Sequence, residues 1–267
     1  MRQKPLITKS LNYQIKQMNR YGLIGFPLKH SFSAEFFAEK FRRENIDAEY
    51  LNFEIEDIQE IRHIILFNQK LKGLNVTIPY KEQVIPFLDE ISPEAQKIGA
   101  VNVIKMERRE GDFYFYKLTG YNTDYIGFKQ SLAPLINPAS HKKALILGTG
   151  GASKAVAQAL TDMQIDWRYV SRTPSAGRFT YTELSPEIIS DYTLIVNASP
   201  VGTFPEADHC PDIPYELLTP RHLLYDLVYN PEETLFLQKG KAQGATIKNG
   251  REMLQLQALA AWEIWQK

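Results

Sequence analysis

Gly148-Thr149-Gly150-Gly151-Ala152-Ser153 follows an apolar run and opens an alanine-rich segment. A glycine turn between a strand and a helix aims backbone amides and the positive helix end at a pyrophosphate, so this segment could hold a dinucleotide. Gly148 permits the tight turn and Gly150 the close approach of backbone to phosphate. Ser153 stands where a third glycine is usual, and its small side chain still allows close helix-strand packing. The adenosine end is read at the close of the next strand, where Ser171-Arg172-Thr173 replaces the acid that would bind a ribose 2′-hydroxyl. The Arg172 guanidinium suits a 2′-phosphate, pairing with its oxygens and stacking on adenine, so NADP is expected rather than NAD.

Four polar clusters end other apolar runs: His30-Ser31-Phe32-Ser33, Asn75 to Lys81, Gly99-Ala100-Val101-Asn102, and Gly120 to Asp124. Polar residues just beyond strands are where open α/β sheets bind ligands. Each cluster also has a plainer use: Ser33 as a helix N-cap, Lys81 as a solvated lysine, Asn102 as a turn residue, Asp124 as another cap.

The positioning elements follow from periodicity. Tyr21 to Phe26 reads as a strand, a helix with Phe36, Phe37 and Phe41 on one face follows Ser33, and Ala48 to Ile55 is a second strand. A helix over Asp57 to Asn68 and a strand over Gly73 to Ile78 continue the alternation. Val101 to Arg108 and Phe113 to Leu118 form a hairpin across Glu110-Gly111-Asp112. A helix from Asp124 to Ala133 leads into strands at Ala144 to Leu147, Trp167 to Ser171, Thr193 to Asn197 and His222 to Leu227. The last helix, Glu252 to Trp265, has a broad apolar face and is expected to pack back on the first unit.

The fold class is therefore α/β, an N-terminal unit with a mostly parallel sheet plus a C-terminal Rossmann-like doubly wound unit. The boundaries are a polar extension over 1–20, a first domain over 21–123 completed by 251–267, and a second over 124–250. Lysine plus arginine and aspartate plus glutamate are both 31, which favours a small-molecule partner over nucleic acid or a membrane surface. The single cysteine, Cys210, and five scattered histidines give no metal set, and His209-Cys210 reads as a loop. With no apolar run of membrane-spanning length and no leader-like start, a cytoplasmic location is expected.

Taken in order, the motifs resemble the shikimate dehydrogenases from about Tyr21 to the C-terminus. Members of that family carry H-S-x-S, N-V-T-x-P-x-K, G-A-V-N, G-x-N-T-D-x-x-G-F, G-x-G-G-A-S, N-R-T, N-A-(S/T)-P-x-G and M-L-x-x-Q, and each is recognisable here. The resemblance implies reversible NADPH-dependent reduction of 3-dehydroshikimate to shikimate in aromatic amino-acid (chorismate) biosynthesis. It implies that Ser31 and Ser33 hold the substrate carboxylate while Asn75, Thr77, Asn102, Asp124 and Gln257 reach ring hydroxyls and Tyr229 closes over the ring. Lys81 and Asp124 become the catalytic pair. Gly148, Gly150, Gly151 and Ala152 line the pyrophosphate, Ser171, Arg172 and Thr173 the adenosine phosphate, and Thr203 and Gly250 the nicotinamide side.

Hydride reduction of a ketone leaves an alkoxide, and a positioned Lys81 ammonium could supply its proton, an effect worth about 10² to 10⁴ in rate. Oxidation in reverse needs Lys81 to accept that proton and is expected to run faster in alkali. The alternative division makes Asp124 the base and Lys81 an electrostatic clamp. The chain departs from the family at Ser171, where asparagine is usual, at Ala176, where a second basic residue often stands, and at Thr203, where methionine is common. Arg178 is the candidate substitute for that second cation. A quinate/shikimate dehydrogenase using NAD, a methylenetetrahydrofolate dehydrogenase and a non-catalytic metabolite sensor are the competing readings. The Ser31/Ser33 pair, Arg172 and the Lys81/Asp124 pair argue against them. The oligomeric expectation is a monomer or homodimer.

Overall fold

A computed structural model describes residues 18–28, 31–108 and 116–267. The extension up to residue 17, His30 and the Glu110-Gly111-Asp112 turn lie outside the described residues. The first sheet is built from β1 (Asn19–Gly25), β2 (Ala48–Glu54), β3 (Leu71–Val76), β4 (Glu90–Ile91), β5 (Val103–Arg108) and β6 (Tyr116–Tyr121), in the spatial order β2-β1-β3-β5-β6-β4. β1 runs parallel to β2 and β3, β5 is antiparallel to both of its neighbours, and β4 is parallel to β6. Helix α1 (Phe32–Arg43) joins β1 to β2, α2 (Ile61–Phe67) joins β2 to β3, and α3 (Pro93–Ile98) lies between β4 and β5.

Helix α4 (Asp124–Leu132) leads into the second sheet, where β7 (Lys143–Leu147) is followed by α5 (Gly151–Asp162), β8 (Asp166–Ser171) and β9 (Arg178–Thr180). Then come α6 (Pro186–Asp191), β10 (Leu194–Asn197), β11 (Leu223–Asp226), α7 (Leu235–Ala242), β12 (Thr246–Lys248) and α8 (Arg251–Gln266). All its pairings are parallel, in the order β12-β11-β10-β7-β8-β9. The order reverses direction beside β7, the switch point at which such sheets bind ligands.

Each sheet is apolar on both faces because helices cover both. On the first, Ile24, Leu74, Val76 and Ile104 pack with Ile61 and Ile64 of α2, and Tyr21 and Val103 pack with Phe37, Phe41, Ala258 and Trp265 of α1 and α8. The Trp265 indole N–H donates to the Ile104 carbonyl at 3.0 Å and its ring stacks on Tyr21 at 4.9 Å, which fixes the end of α8 against the first sheet. On the second, Val156 and Leu160 of α5 with Phe128 and Leu132 of α4 cover one face, and Ile189, Phe236 and Leu237 cover the other.

Several expectations need correction. Ser31 caps α1, its hydroxyl accepting from Ala34 N at 3.2 Å, and Ser33 lies inside the first turn. Asp57 caps a short 3₁₀ turn, Ile58–Glu60, and the α-helical part starts only at Ile61. The hairpin strand begins at Val103, because Val101 and Asn102 belong to a polar loop network. The cap reading of Asp124 fails: Thr123 holds the cap position without a side-chain bond, and Asp124 turns toward Lys81.

Candidate active site

Strand direction brings the polar clusters to one edge. β1, β3 and β6 end there and the antiparallel β5 starts there, so Ser31, Thr77 to Lys81, Asn122 to Asp124 and Asn102 converge. β7, β8, β10 and β11 end facing them with Gly148, Arg172, Ser199 and Tyr229 just beyond.

Lys81 Nζ lies 2.6 Å from Asp124 Oδ2, and the two side chains are 14% and 9% exposed, shielded yet reachable. The base of Lys81 is fixed from both directions. The buried Tyr80 hydroxyl donates to the Ile55 carbonyl at 2.6 Å, and Val101 N donates to the Lys81 carbonyl at 2.7 Å. Asp124 Oδ1 accepts from Asn102 Nδ2 at 2.9 Å, while Asn102 Oδ1 accepts from Thr123 N at 2.7 Å. Both carboxylate oxygens are thus engaged, and the ammonium keeps donors for a further partner.

The network continues toward the serines. Asn75 Nδ2 donates to the Asn102 carbonyl at 3.3 Å and its Oδ1 accepts from the Tyr50 phenol at 2.7 Å. Burial pushes that phenol far up from its ordinary value, with the Ser33 hydroxyl pulling the other way, so Tyr50 stays a donor. Gln257, buried on α8, accepts weakly from the Thr123 hydroxyl at 3.4 Å. Tyr229 sets its ring edge-on to Phe32 of α1 at 5.9 Å, spanning the two sheets' loops. Thr77 N donates to the Ile24 carbonyl at 2.9 Å, placing Thr77 directly beyond β1 and β3.

A cavity of about 840 Å³ separates the two edges, lined by Lys81, Gly148 to Ala152, Arg172, Ser199 and Tyr181 among others. A dinucleotide fits the residues present. Gly148 has φ 103, and a Cβ there would meet Ser199 at 3.2 Å. No side chain caps the twelve-residue α5, so its first amides face the cavity. A Cβ on Gly151 would lie 3.3 Å from Lys81 Cβ, so only a glycine lets the lysine stem pass over the start of α5 without adjustment.

Next to it, a cavity of about 430 Å³ is lined by Thr149, Ser171, Arg172, Thr173, Pro174, Ser175 and Arg178. The Arg178 guanidinium sits over the Tyr169 ring at 5.6 Å and faces the same space as Arg172. Burial pushes the Tyr181 phenol up, countered by Arg172. Cys210 also lines the larger cavity. Thr203 is exposed, in the turn after Pro200. Gly250 N donates to the Val228 carbonyl at 3.2 Å and starts α8 beside the Tyr229 loop. Neither lines either cavity. Tyr50 and Tyr181 were not singled out by the sequence; a tyrosine in a strand or a loop carries no spacing signal, and only the fold brings them to the site. Among the described residues no group of three His, Cys, Asp or Glu side chains could hold a metal, and no helix is long and apolar enough to cross a membrane.

The profile of the shikimate dehydrogenase substrate binding domain matches residues 23–104. A shikimate dehydrogenase (NADP(+)) of Desulforamulus reducens is 36% identical, the alignment covering 91% of this chain and 88% of the relative. The crystal structure of shikimate dehydrogenase from Aquifex aeolicus superimposes with a TM-score of 0.80 at 38% identity, covering 93% of this chain and 92% of that one. The Thermus thermophilus enzyme, in complex with NADP(H) and shikimate, gives 0.78 at 31% identity, covering 93% of each chain. With such identity across nearly its whole length, the chain belongs to the shikimate dehydrogenase family.

Proposed function

We propose that this chain catalyses the reversible reduction of 3-dehydroshikimate to shikimate with NADPH, a step of aromatic amino-acid biosynthesis. The observation that carries the reading is the Lys81–Asp124 pair at 2.6 Å, placed between a buried amide-hydroxyl network and the glycine turn. When bound, NADPH supplies the hydride. The Lys81 ammonium delivers the proton to the oxygen that becomes the hydroxyl, an effect of about 10² to 10⁴ in rate. Asp124 orients that ammonium; with both oxygens already accepting, it is better suited to holding a cation than to taking a substrate proton.

Residues 21–123 with 251–267 form the substrate half and residues 124–250 the NADP half. Ser31 and Ser33, at the N-terminus of the twelve-residue α1, offer hydroxyl donors and the positive helix end to the substrate carboxylate. Asn75, Thr77, Asn102 and Gln257 bond ring hydroxyls, and Tyr229 closes the cleft against Phe32. Gly148, Gly150, Gly151 and Ala152 cradle the pyrophosphate, with Ser199, Thr203 and Gly250 toward the nicotinamide side. Arg172 and Arg178, with Ser171 and Thr173, take the 2′-phosphate. The test crosses shikimate or quinate with NADP or NAD and follows nicotinamide absorbance. Shikimate with NADP should give the highest kcat/KM, and a preference for quinate or for NAD contradicts the reading.

A further inference from the structure

No step above uses Asp226, a fully buried carboxylate at the end of β11. Its hydrogen-bond donors are all neutral. Oδ1 accepts from Asn197 Nδ2 at 2.9 Å and from Val228 N at 3.0 Å, and Oδ2 accepts from the Thr234 hydroxyl at 2.6 Å. A buried anion without a cation is expensive for packing alone. Burial pushes the group up to about 6, against the pull of its three donors. What a carboxylate offers here, and an amide with one oxygen and two lone pairs cannot, is acceptance from all three donors on the two loops at once.

The first loop belongs to the cofactor wall. Asn197 Oδ1 accepts from Ser199 N at 3.1 Å and from the Ser199 hydroxyl at 2.6 Å, and Asn197 Nδ2 also donates to the Val201 carbonyl at 3.2 Å. Asn197 therefore shapes the Ser199–Val201 turn that lies against Gly148. The second loop, 227–234, carries Tyr229, and Thr234 closes it by capping α7. The two also touch directly, Phe204 N donating to the Asn230 carbonyl at 3.1 Å.

We propose that Asp226 is a positioning residue that couples the 198–201 turn to the Tyr229 loop, so that a dinucleotide in the cavity orders the loop that closes over the substrate. The inference rests on the dinucleotide and substrate assignments made above. Binding that rigidifies one of two linked loops lowers the entropy cost of ordering the other, provided the link is stiff. Charge-assisted bonds, about twice as strong as neutral ones, supply that stiffness.

Hydrogen exchange of the full chain with and without NADP tests this. In the wild type, NADP should slow exchange in both 198–204 and 227–234. In Asp226→Asn the first protection persists while the second drops about tenfold, and KM for 3-dehydroshikimate rises with NADPH affinity unchanged. Thr234→Val removes one donor together with the α7 cap, leaves the carboxylate in place, and should give the same split more weakly if the first variant fails to fold. Joint protection surviving in the variants overturns the proposal. So does joint loss accompanied by weaker NADPH binding, the signature of a merely structural role. Wild-type protection confined to 198–204 overturns it too, whereas no protection at 198–204 overturns the dinucleotide assignment itself.

Discussion

Asn102 donates to Asp124 Oδ1 at 2.9 Å, which leaves Oδ2 for the Lys81 ammonium at 2.6 Å. The amide thus sets the carboxylate that sets the lysine. Asn102→Ala should lower kcat about tenfold, the scale of one buried hydrogen bond to a charged group. Asp124→Asn, which removes the charge facing Lys81, should cost more. Steady-state kinetics with saturating NADPH checks the order; equal effects from both variants would contradict the hierarchy.

Arg172 and Arg178 face one cavity from a strand end and the neighbouring strand β9. Each Arg→Ala change should raise KM for NADPH about tenfold or more, the scale of one charge-assisted contact, with little change for NADH. Unaltered cofactor preference in Arg178→Ala would remove that residue from the 2′-phosphate site.

Ser31 and Ser33 should separate by readout. Ser31→Ala loses the α1 cap, about 1 kcal/mol, and should lower both melting temperature and shikimate affinity. Ser33→Ala, whose hydroxyl caps nothing and faces the Tyr50 phenol, should weaken shikimate binding with a smaller fall in melting temperature than Ser31→Ala. Calorimetry beside substrate titration distinguishes them.

Two buried groups give pH dependences of opposite sign. Asp226 rises from 3.8 to about 6 on folding, so the stability it contributes is present below about 4 and is lost as pH climbs through 6. The buried charge then costs on the order of 3 kcal/mol, and Asp226→Asn should be the more stable protein at pH 8. Burial pulls His141 below 6.5, its Nδ1 accepting from Asn137 N at 3.0 Å, so its contribution is present above 6.5 and lost as pH falls. Urea titrations of the wild type and of both single variants, Asp226→Asn and His141→Gln, between pH 4 and 8 would show each arm flatten separately. Parallel curves would contradict both assignments.

The alternation of strands and helices was legible because long apolar runs ending in Pro27, Pro79 or the Gly148 turn have few other uses. Short elements were not. β4 and β9 hold two and three residues, too few for a period. α3 carries its signals, Ser92 at the cap, Pro93 at the first position and Gly99 in the left-handed region, yet its six residues, with only Ala95 and Ile98 buried, are too few to establish a helical period. At the site, Lys81, Asp124 and Arg172 stood out as motif residues. Tyr50 did not, because its role arises only when β2 lies beside β1 and brings the phenol within 2.7 Å of Asn75. Arg178 could be offered only as a substitute from sequence; β9 pairing with β8 turns it into the space that Arg172 faces.

The most direct test is a single-turnover measurement of NADPH oxidation by 3-dehydroshikimate in the wild type and in Lys81→Ala. The account predicts a hydride-transfer rate lower by about 10² or more in the variant, with the substrate concentration for half-saturation nearly unchanged. A near wild-type rate in Lys81→Ala would contradict it.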